Sequence, residues 1–312
     1  MAFRHKHLLG IQHLSRSNIQ TVLDTAESML EISTREVKKV PALRGKTIVN
    51  LFYEPSTRTR SSFEIAAKRL SADIMNFNRQ SSSIIKGETL KDTIRNLEAM
   101  QTDAIVIRHE SSGVPNFLST FCSSHIINAG DGMHEHPTQA LLDAFTIKQR
   151  LHRIQDLKIV IVGDILHSRV ARSNMILFQK LGAHVTLVGP PSLCPQEFEW
   201  SGAQIDYNMD RALEGADVVM MLRIQLERQT KNYIPSIREY REMFGLTREK
   251  FNRAKKDAII MHPGPVNRGV ELDADLADSS ESAILEQVAN GIAVRMAVLY
   301  LLLGGTERES ID

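Results

Sequence analysis

Short, nearly continuous apolar runs separated by amphipathic stretches constrain this chain more than any other feature. Lys158-Ile-Val-Ile-Val-Gly163 and Asp217-Val-Val-Met-Met-Leu222 are apolar on both alternating faces. Strands of that kind must be covered on both sides, as in a parallel sheet. Similar runs recur at Thr47–Tyr53, Asp73–Phe77, Ala104–Arg108 and His125–Asn128, and again at His184–Val188, Gln204–Tyr207 and Ala258–Met261. Helical spacing lies between them. Phe63, Ala66, Ala67 and Leu70 follow i, i+3, i+4, i+7, as do Leu90, Ile94 and Leu97, with Thr89 near the start. Val170, Asn174, Leu177 and Leu181 repeat the pattern and end at Gly182. The β-α-β-α order predicts an α/β fold of doubly wound parallel sheets.

The strands fall into two sets, one before about residue 130 and one after 158. Long helical stretches, His136–His152 and Ser280–Leu303, separate the sets and close the chain. A length of 312 residues accommodates two such units. The expected architecture is therefore two doubly wound parallel-sheet domains bridged by two long helices. One covers 1–150, completed by the C-terminal helix at about 285–312, and the other 151–284. The cleft between such domains is a preferred place for a small molecule. The polar stretch Arg223–Arg248 reads as a surface loop with short helices.

Lys and Arg number 38 against 37 Asp and Glu, for a net charge of +1. That balance argues against nucleic acid and membrane surfaces as partners. The N-terminus has no apolar core of a signal peptide, and the most apolar tail segment, Ala297–Leu303, is too short to span a bilayer. A cytoplasmic location is expected. Two cysteines, Cys122 and Cys194, are too few for a disulfide framework. The histidines show no zinc spacing; His134 and His136 lack a third ligand, and no metal is expected. The second half has no Gly-x-Gly-x-x-Gly, and a P-loop is missing throughout, which weakens nicotinamide and nucleotide readings.

Ligands of open parallel sheets sit beyond the carboxyl ends of strands. The first run leads into Glu54-Pro-Ser-Thr-Arg-Thr-Arg60, three hydroxyls and two guanidiniums where a strand becomes a helix. Free N–H groups, the helix dipole and arginine forks together suit a phosphate. Arg108 and His109 end the third run, and His136-Pro-Thr-Gln139 follows the fourth. Arg169 follows the fifth, Arg223-Ile-Gln225 the eighth, and His262-Pro-Gly-Pro265 the ninth. Asp131 and Asp164 stand in Gly-Asp turns and read as turn chemistry. Arg60 and Glu64 are spaced for an i,i+4 pair that supports the helix.

Ser56-Thr57-Arg58-Thr59-Arg60 followed by Ser-Ser-Phe-Glu, together with His136-Pro-Thr-Gln139, resembles the signatures of the aspartate/ornithine carbamoyltransferase family. The likeness runs through the whole chain in order. Ser82-Ser-Ile-Ile-Lys86-Gly-Glu88 resembles the loop that the family's aspartate-using branch lends to a neighbouring subunit. Arg223-Ile-Gln225 resembles that branch's substrate motif. His262-Pro-Gly-Pro265 stands where ornithine users carry His-Cys-Leu-Pro. Some relatives have leucine at Gly264 and Tyr-Gly-Arg at His167-Ser168-Arg169.

The resemblance implies carbamoyl transfer from carbamoyl phosphate to L-aspartate, a step of pyrimidine biosynthesis needing no cofactor. It implies that Ser56, Thr57, Arg58, Thr59 and Arg108 bind the phosphate, and that Thr59, Arg108 and His136 are catalytic, facing the carbonyl oxygen. Gln139 and the Pro263–Gly264–Pro265 backbone would orient the carbamoyl NH₂. Arg169, Arg223, Gln225 and Lys86 would bind aspartate, with Lys86 bridging both substrates, and Ser82 and Lys86 would come from a neighbouring subunit. A homotrimer with shared active sites follows, either free or joined to regulatory chains or to dihydroorotase.

Overall fold

The computed structural model describes residues 3–78, 88–224 and 233–304. The expected Ser82, Lys86 and Gln225 lie outside the described residues. The chain divides into two compact units, Met1–Leu142 with Ala289–Asp312, and Asp143–Val288.

In chain order the first unit carries α1 (Arg16–Thr34), β1 (Thr47–Phe52), α2 (Thr57–Arg69), β2 (Asp73–Asn78), α3 (Leu90–Ala99), β3 (Ala104–His109), α4 (Val114–Ser119) and β4 (His125–Asp131). Helix α5 (Pro137–Leu151) contributes residues to both units. The second unit carries β5 (Lys158–Val162), α6 (Arg169–Lys180), β6 (His184–Val188), β7 (Gln204–Asp206), α7 (Met209–Leu213), β8 (Val218–Met221), α8 (Ile237–Phe244), α9 (Arg248–Phe251), β9 (Ile259–Met261) and α10 (Ala274–Ala277). Helix α11 (Ile284–Leu303) closes the described chain and also contributes to both. Each apolar run of the sequence forms a strand.

Both sheets are parallel, ordered β2-β1-β3-β4 and β7-β6-β5-β8-β9. The strands are buried because helices cover both faces, which their β-branched runs require. In the first unit Val49, Leu51, Ile105, Ile107 and Ile126 pack with Ile94, Leu97 and Leu118. In the second, Val160, Val162, Val219, Met221 and Ile260 pack with Leu213, Tyr240 and Phe244.

Each sheet reverses its winding once. After β1 the chain adds β2 on one side and β3 on the other, and after β5 it adds β6 and β7 on one side and β8 on the other. The β1/β3 and β5/β8 junctions are the topological switch points, where the loops diverge and leave a crevice.

Two sequence expectations change. Glu64 pairs with Lys68 at 2.6 Å rather than with Arg60. Glutamate four residues before a cation is the better-oriented helical pair, and Arg60 stands on the other side of it. Lys68 holds the Glu64 carboxyl below its usual range. Helix α11 spans 20 residues at a mean hydropathy of 1.3, so it is long and apolar enough to cross a membrane, where the sequence reading counted only its last turns. Its residues Ala293, Val294, Met296, Ala297 and Leu299 are fully buried in the protein, and Arg295 stacks over the Phe63 ring at 5.2 Å. It is a core helix.

Candidate active site

In the first unit, register assembles the candidate residues. Phe52 on β1 is level with Arg108 on β3, and the Tyr53 N–H donates to the Arg108 carbonyl at 2.9 Å. The Arg108 guanidinium therefore stands beside the loop that leads into α2. It donates to Glu54 Oε1 at 3.0 Å and to the Ala129 carbonyl at 3.4 Å, linking the ends of β1, β3 and β4.

Ser56 is the N-cap of α2, with extended backbone (φ −161°), yet its side chain makes no capping bond. Ser15, Thr89 and Ser168 all cap their helices through the side chain. The first turn of α2 is therefore not capped by the side chain of its own N-cap residue. Thr57 and Arg58 are exposed there, while Thr59 is buried.

The β4–α5 connection sets His136. Asp131 and Glu135 bridge through their backbones, and Asp131 Oδ1 accepts the Glu135 N–H at 3.1 Å. Asp131 also accepts from the Gly113 N–H, the Asn128 amide and the His134 ring. Burial pushes its carboxyl up, but these donors outweigh burial and hold it below its usual range. Glu135 accepts from the Ile11 and Gln12 N–H groups at 2.7 and 3.3 Å. A Cβ at Gly10 would press on Glu135 Oε1, so a side chain there would displace that carboxylate. The tightened turn presents His136 at the head of α5, where its carbonyl accepts from Gln139 and Ala140. His136 and Gln139 are both buried.

The second unit repeats the logic. Val162 on β5 is level with Met221 on β8, and Met220 with Met261 on β9. The loops bearing Arg169, Arg223 and Gly264 therefore leave neighbouring strands. Gly163 (φ 138°) lets the first approach the second, because a Cβ would lie 2.9 Å from Leu222. Asp164 shapes the loop by accepting from the His167 N–H at 3.1 Å and its ring Nδ1 at 2.9 Å. Ser168 caps α6, and Arg169, its first residue, is buried. Gly264 lies in the left-handed region (φ 65°), and the Gly264–Pro265 bond is cis.

The structure thus brings Ser56, Thr57, Arg58, Thr59, Arg108 and His136 to one edge of the first sheet. It brings Arg169, Arg223, Gly264 and Pro265 to one edge of the second. Sequence reasoning missed the carboxylates that hold these loops, Glu54, Glu135 and Glu271. Glu54 could have been noticed, since it opens the cation-rich run. Among the described residues no three His, Cys, Asp or Glu side chains gather as a metal-holding group. Burial pushes both cysteine thiols up to about 12, so neither offers a thiolate nucleophile.

Residues 6–149 match the carbamoyl-P binding domain model of aspartate/ornithine carbamoyltransferases, and residues 155–302 match the Asp/Orn binding domain model. The chain is 59% identical over 310 residues to the aspartate carbamoyltransferase catalytic subunit of Carboxydothermus hydrogenoformans, covering 99% of each chain. It is 57% identical to that of Syntrophotalea carbinolica, again covering 99% of each. Among solved structures, aspartate transcarbamoylase from Trypanosoma cruzi with carbamoyl phosphate and aspartate superposes with a TM-score of 0.86 at 31% identity, over 95% of this chain and 96% of that one. Ornithine carbamoyltransferase from Pyrococcus furiosus superposes with 0.87 at 32% identity, over 98% and 99%.

Proposed function

Because the chain belongs to the aspartate/ornithine carbamoyltransferase family, we propose that it transfers the carbamoyl group of carbamoyl phosphate to L-aspartate, giving N-carbamoyl-L-aspartate and phosphate for pyrimidine biosynthesis. The observation that carries this reading is the placement of cations at both switch points. Arg58 and Arg108 flank β1/β3, and Arg169 and Arg223 flank β5/β8. One sheet edge suits a phosphate, and the other suits a substrate with two carboxylates. The structural neighbours include users of either amino acid, so the choice of aspartate rests on sequence: the Arg223-Ile-Gln225 motif and relatives above 50% identity.

In the reaction the aspartate α-amine attacks the carbamoyl carbon. A C–N bond forms, the bond from that carbon to the phosphate oxygen breaks, and the leaving phosphate accepts the amine proton. We assign phosphate binding to Ser56, Thr57, Arg58, Thr59 and Arg108. Thr59, Arg108 and His136 donate to the carbonyl oxygen as it becomes anionic, an arrangement in which each donor is worth about 10²–10³ in rate. Gln139 and the backbone around Gly264 and Pro265 orient the carbamoyl NH₂, and Arg169, Arg223 and Gln225 hold aspartate. No side chain is assigned as general base, so positioning and electrostatics supply the acceleration.

The first unit is read as the carbamoyl-phosphate domain and the second as the aspartate domain. Ser82 and Lys86 are read as a loan from the next subunit of a cytoplasmic homotrimer, free or joined to regulatory chains or to dihydroorotase. The test is direct. Purified chain with carbamoyl phosphate should release phosphate and carbamoyl-aspartate when given aspartate. Turnover with ornithine and none with aspartate overturns the assignment.

A further inference from the structure

Two buried side chains in the second unit, Glu271 and His262, act on the segment that bears Gly264. Glu271 and His262 are fully buried, and His262 Nε2 lies 3.2 Å from Glu271 Oε1. The other ring nitrogen, Nδ1, accepts the Gly264 N–H at 2.7 Å. That bond fixes the ring chemistry. A nitrogen that accepts an N–H carries no proton, so the single proton of the neutral imidazole is on Nε2, and Nε2 donates to Glu271. The same Glu271 oxygen accepts the Asn267 N–H at 2.6 Å. One carboxyl oxygen therefore grips the chain on both sides of Gly264 and Pro265, directly at Asn267 and through the ring at Gly264.

The base of the segment is tied as well. The His262 N–H donates to Gln287 Oε1 at 2.9 Å, and the Gln287 amide donates to Asp143 at 2.7 Å. Asp143 in turn accepts from Asn174 at 2.7 Å. Buried hydrogen-bonded networks of this kind rigidify what they hold. Here they hold main chain that carries no charged group of its own, on a loop at the carboxyl edge of the sheet.

We propose that Glu271 is a positioning residue for carbamoyl recognition. Through the Nε2-protonated form of His262 it fixes the Gly264–Pro265 backbone where that backbone meets the carbamoyl NH₂. The proposal rests on the reaction assigned above. With phosphate binding assigned to Ser56, Thr57, Arg58, Thr59 and Arg108, the carbamoyl end of the ligand should sense Glu271 and the phosphate end should not.

The test is calorimetric titration of the full chain with carbamoyl phosphate and, separately, with inorganic phosphate. In Glu271→Leu the ratio of carbamoyl-phosphate to phosphate affinity should fall about tenfold, with phosphate affinity within about twofold of the parent. Glu271→Gln keeps the accepting oxygen and should restore the ratio to within about threefold. An unchanged ratio in a folded Glu271→Leu chain overturns the proposal. Should that variant not fold, ¹⁵N-histidine spectra of the unaltered chain decide. His262 must show a bare Nδ1 and a protonated Nε2, and the opposite tautomer or an imidazolium overturns the proposal. If the unaltered chain turns over no carbamoyl phosphate, the assigned reaction itself has failed, which is a different result from an unchanged ratio.

Discussion

His136 illustrates how far the role of a side chain depends on the groups that place it. It stands before Pro137, and proline is common in the first turn of a helix, so the pair alone would pass for a helix start. What sets it apart is the buried carboxylates before it. Asp131 and Glu135 close the turn, and Glu135 reaches 124 residues back along the chain to take the Ile11 N–H. His136→Ala should therefore lower kcat by about 10²–10³ while carbamoyl-phosphate affinity changes far less, since an oxyanion donor acts mainly in the transition state. Steady-state kinetics alongside calorimetry checks this, and an equal loss in both would make His136 a ground-state ligand. Gly264 poses the opposite case, a position where the backbone alone matters. Its φ of 65° makes any side chain costly, by about 1–2 kcal/mol. Gly264→Ala should lower the midpoint of thermal unfolding and raise the KM for carbamoyl phosphate, whereas an unaltered KM would remove this backbone from the site.

Among elements, the N-terminal segment is the one whose role was least legible. Leu8 pairs with Ile127 beside β4, and the Ile126 N–H donates to His7 Nδ1 at 2.9 Å. Burial, with Lys6 and His125 nearby, lowers His7 to about 4 from an ordinary value of 6.5. The unfolded chain therefore binds the proton first as pH falls. The stabilisation from neutral His7 is complete above about pH 6.5 and is lost between there and about pH 4. Allowing for partial exposure, we expect about 1–2 kcal/mol over that window. His7→Asn, which keeps an acceptor, should flatten the pH dependence of urea unfolding there, and an unchanged slope would exclude His7 as its source. Strands and long helices were legible because burial on two faces leaves a continuous apolar run and burial on one leaves a 3.6 period. The Leu8 pairing had no such signature, since its partners are more than a hundred residues away. The same holds for Glu54, Glu135 and Glu271, whose acceptors and donors meet only after the sheets have formed.

At the scale of the whole molecule, fold and substrate separate. The chain superposes equally well on an aspartate and an ornithine enzyme, so the architecture supplies the two switch points and the loops supply the choice of amine. The role proposed for Lys86 reaches furthest, because it assigns part of each site to another copy of the chain. Sharing of this kind has a countable consequence. In a cyclic trimer each site would combine Arg58 from one chain with Lys86 from the next. Neither Arg58→Ala nor Lys86→Ala chains alone could build an intact site. Dissociated, mixed in equal amounts and reassembled at random, they bring a chain with intact Arg58 beside a chain with intact Lys86 at about one junction in four. Activity should then rise from the parental residue to about a quarter of the unaltered protein, and native mass spectrometry would verify that the two variants share trimers. If both residues served one site within the same chain, mixing would leave every site with one of the two lesions. Mixed trimers without recovery would then assign Lys86 to its own chain and remove the reason for expecting a shared site.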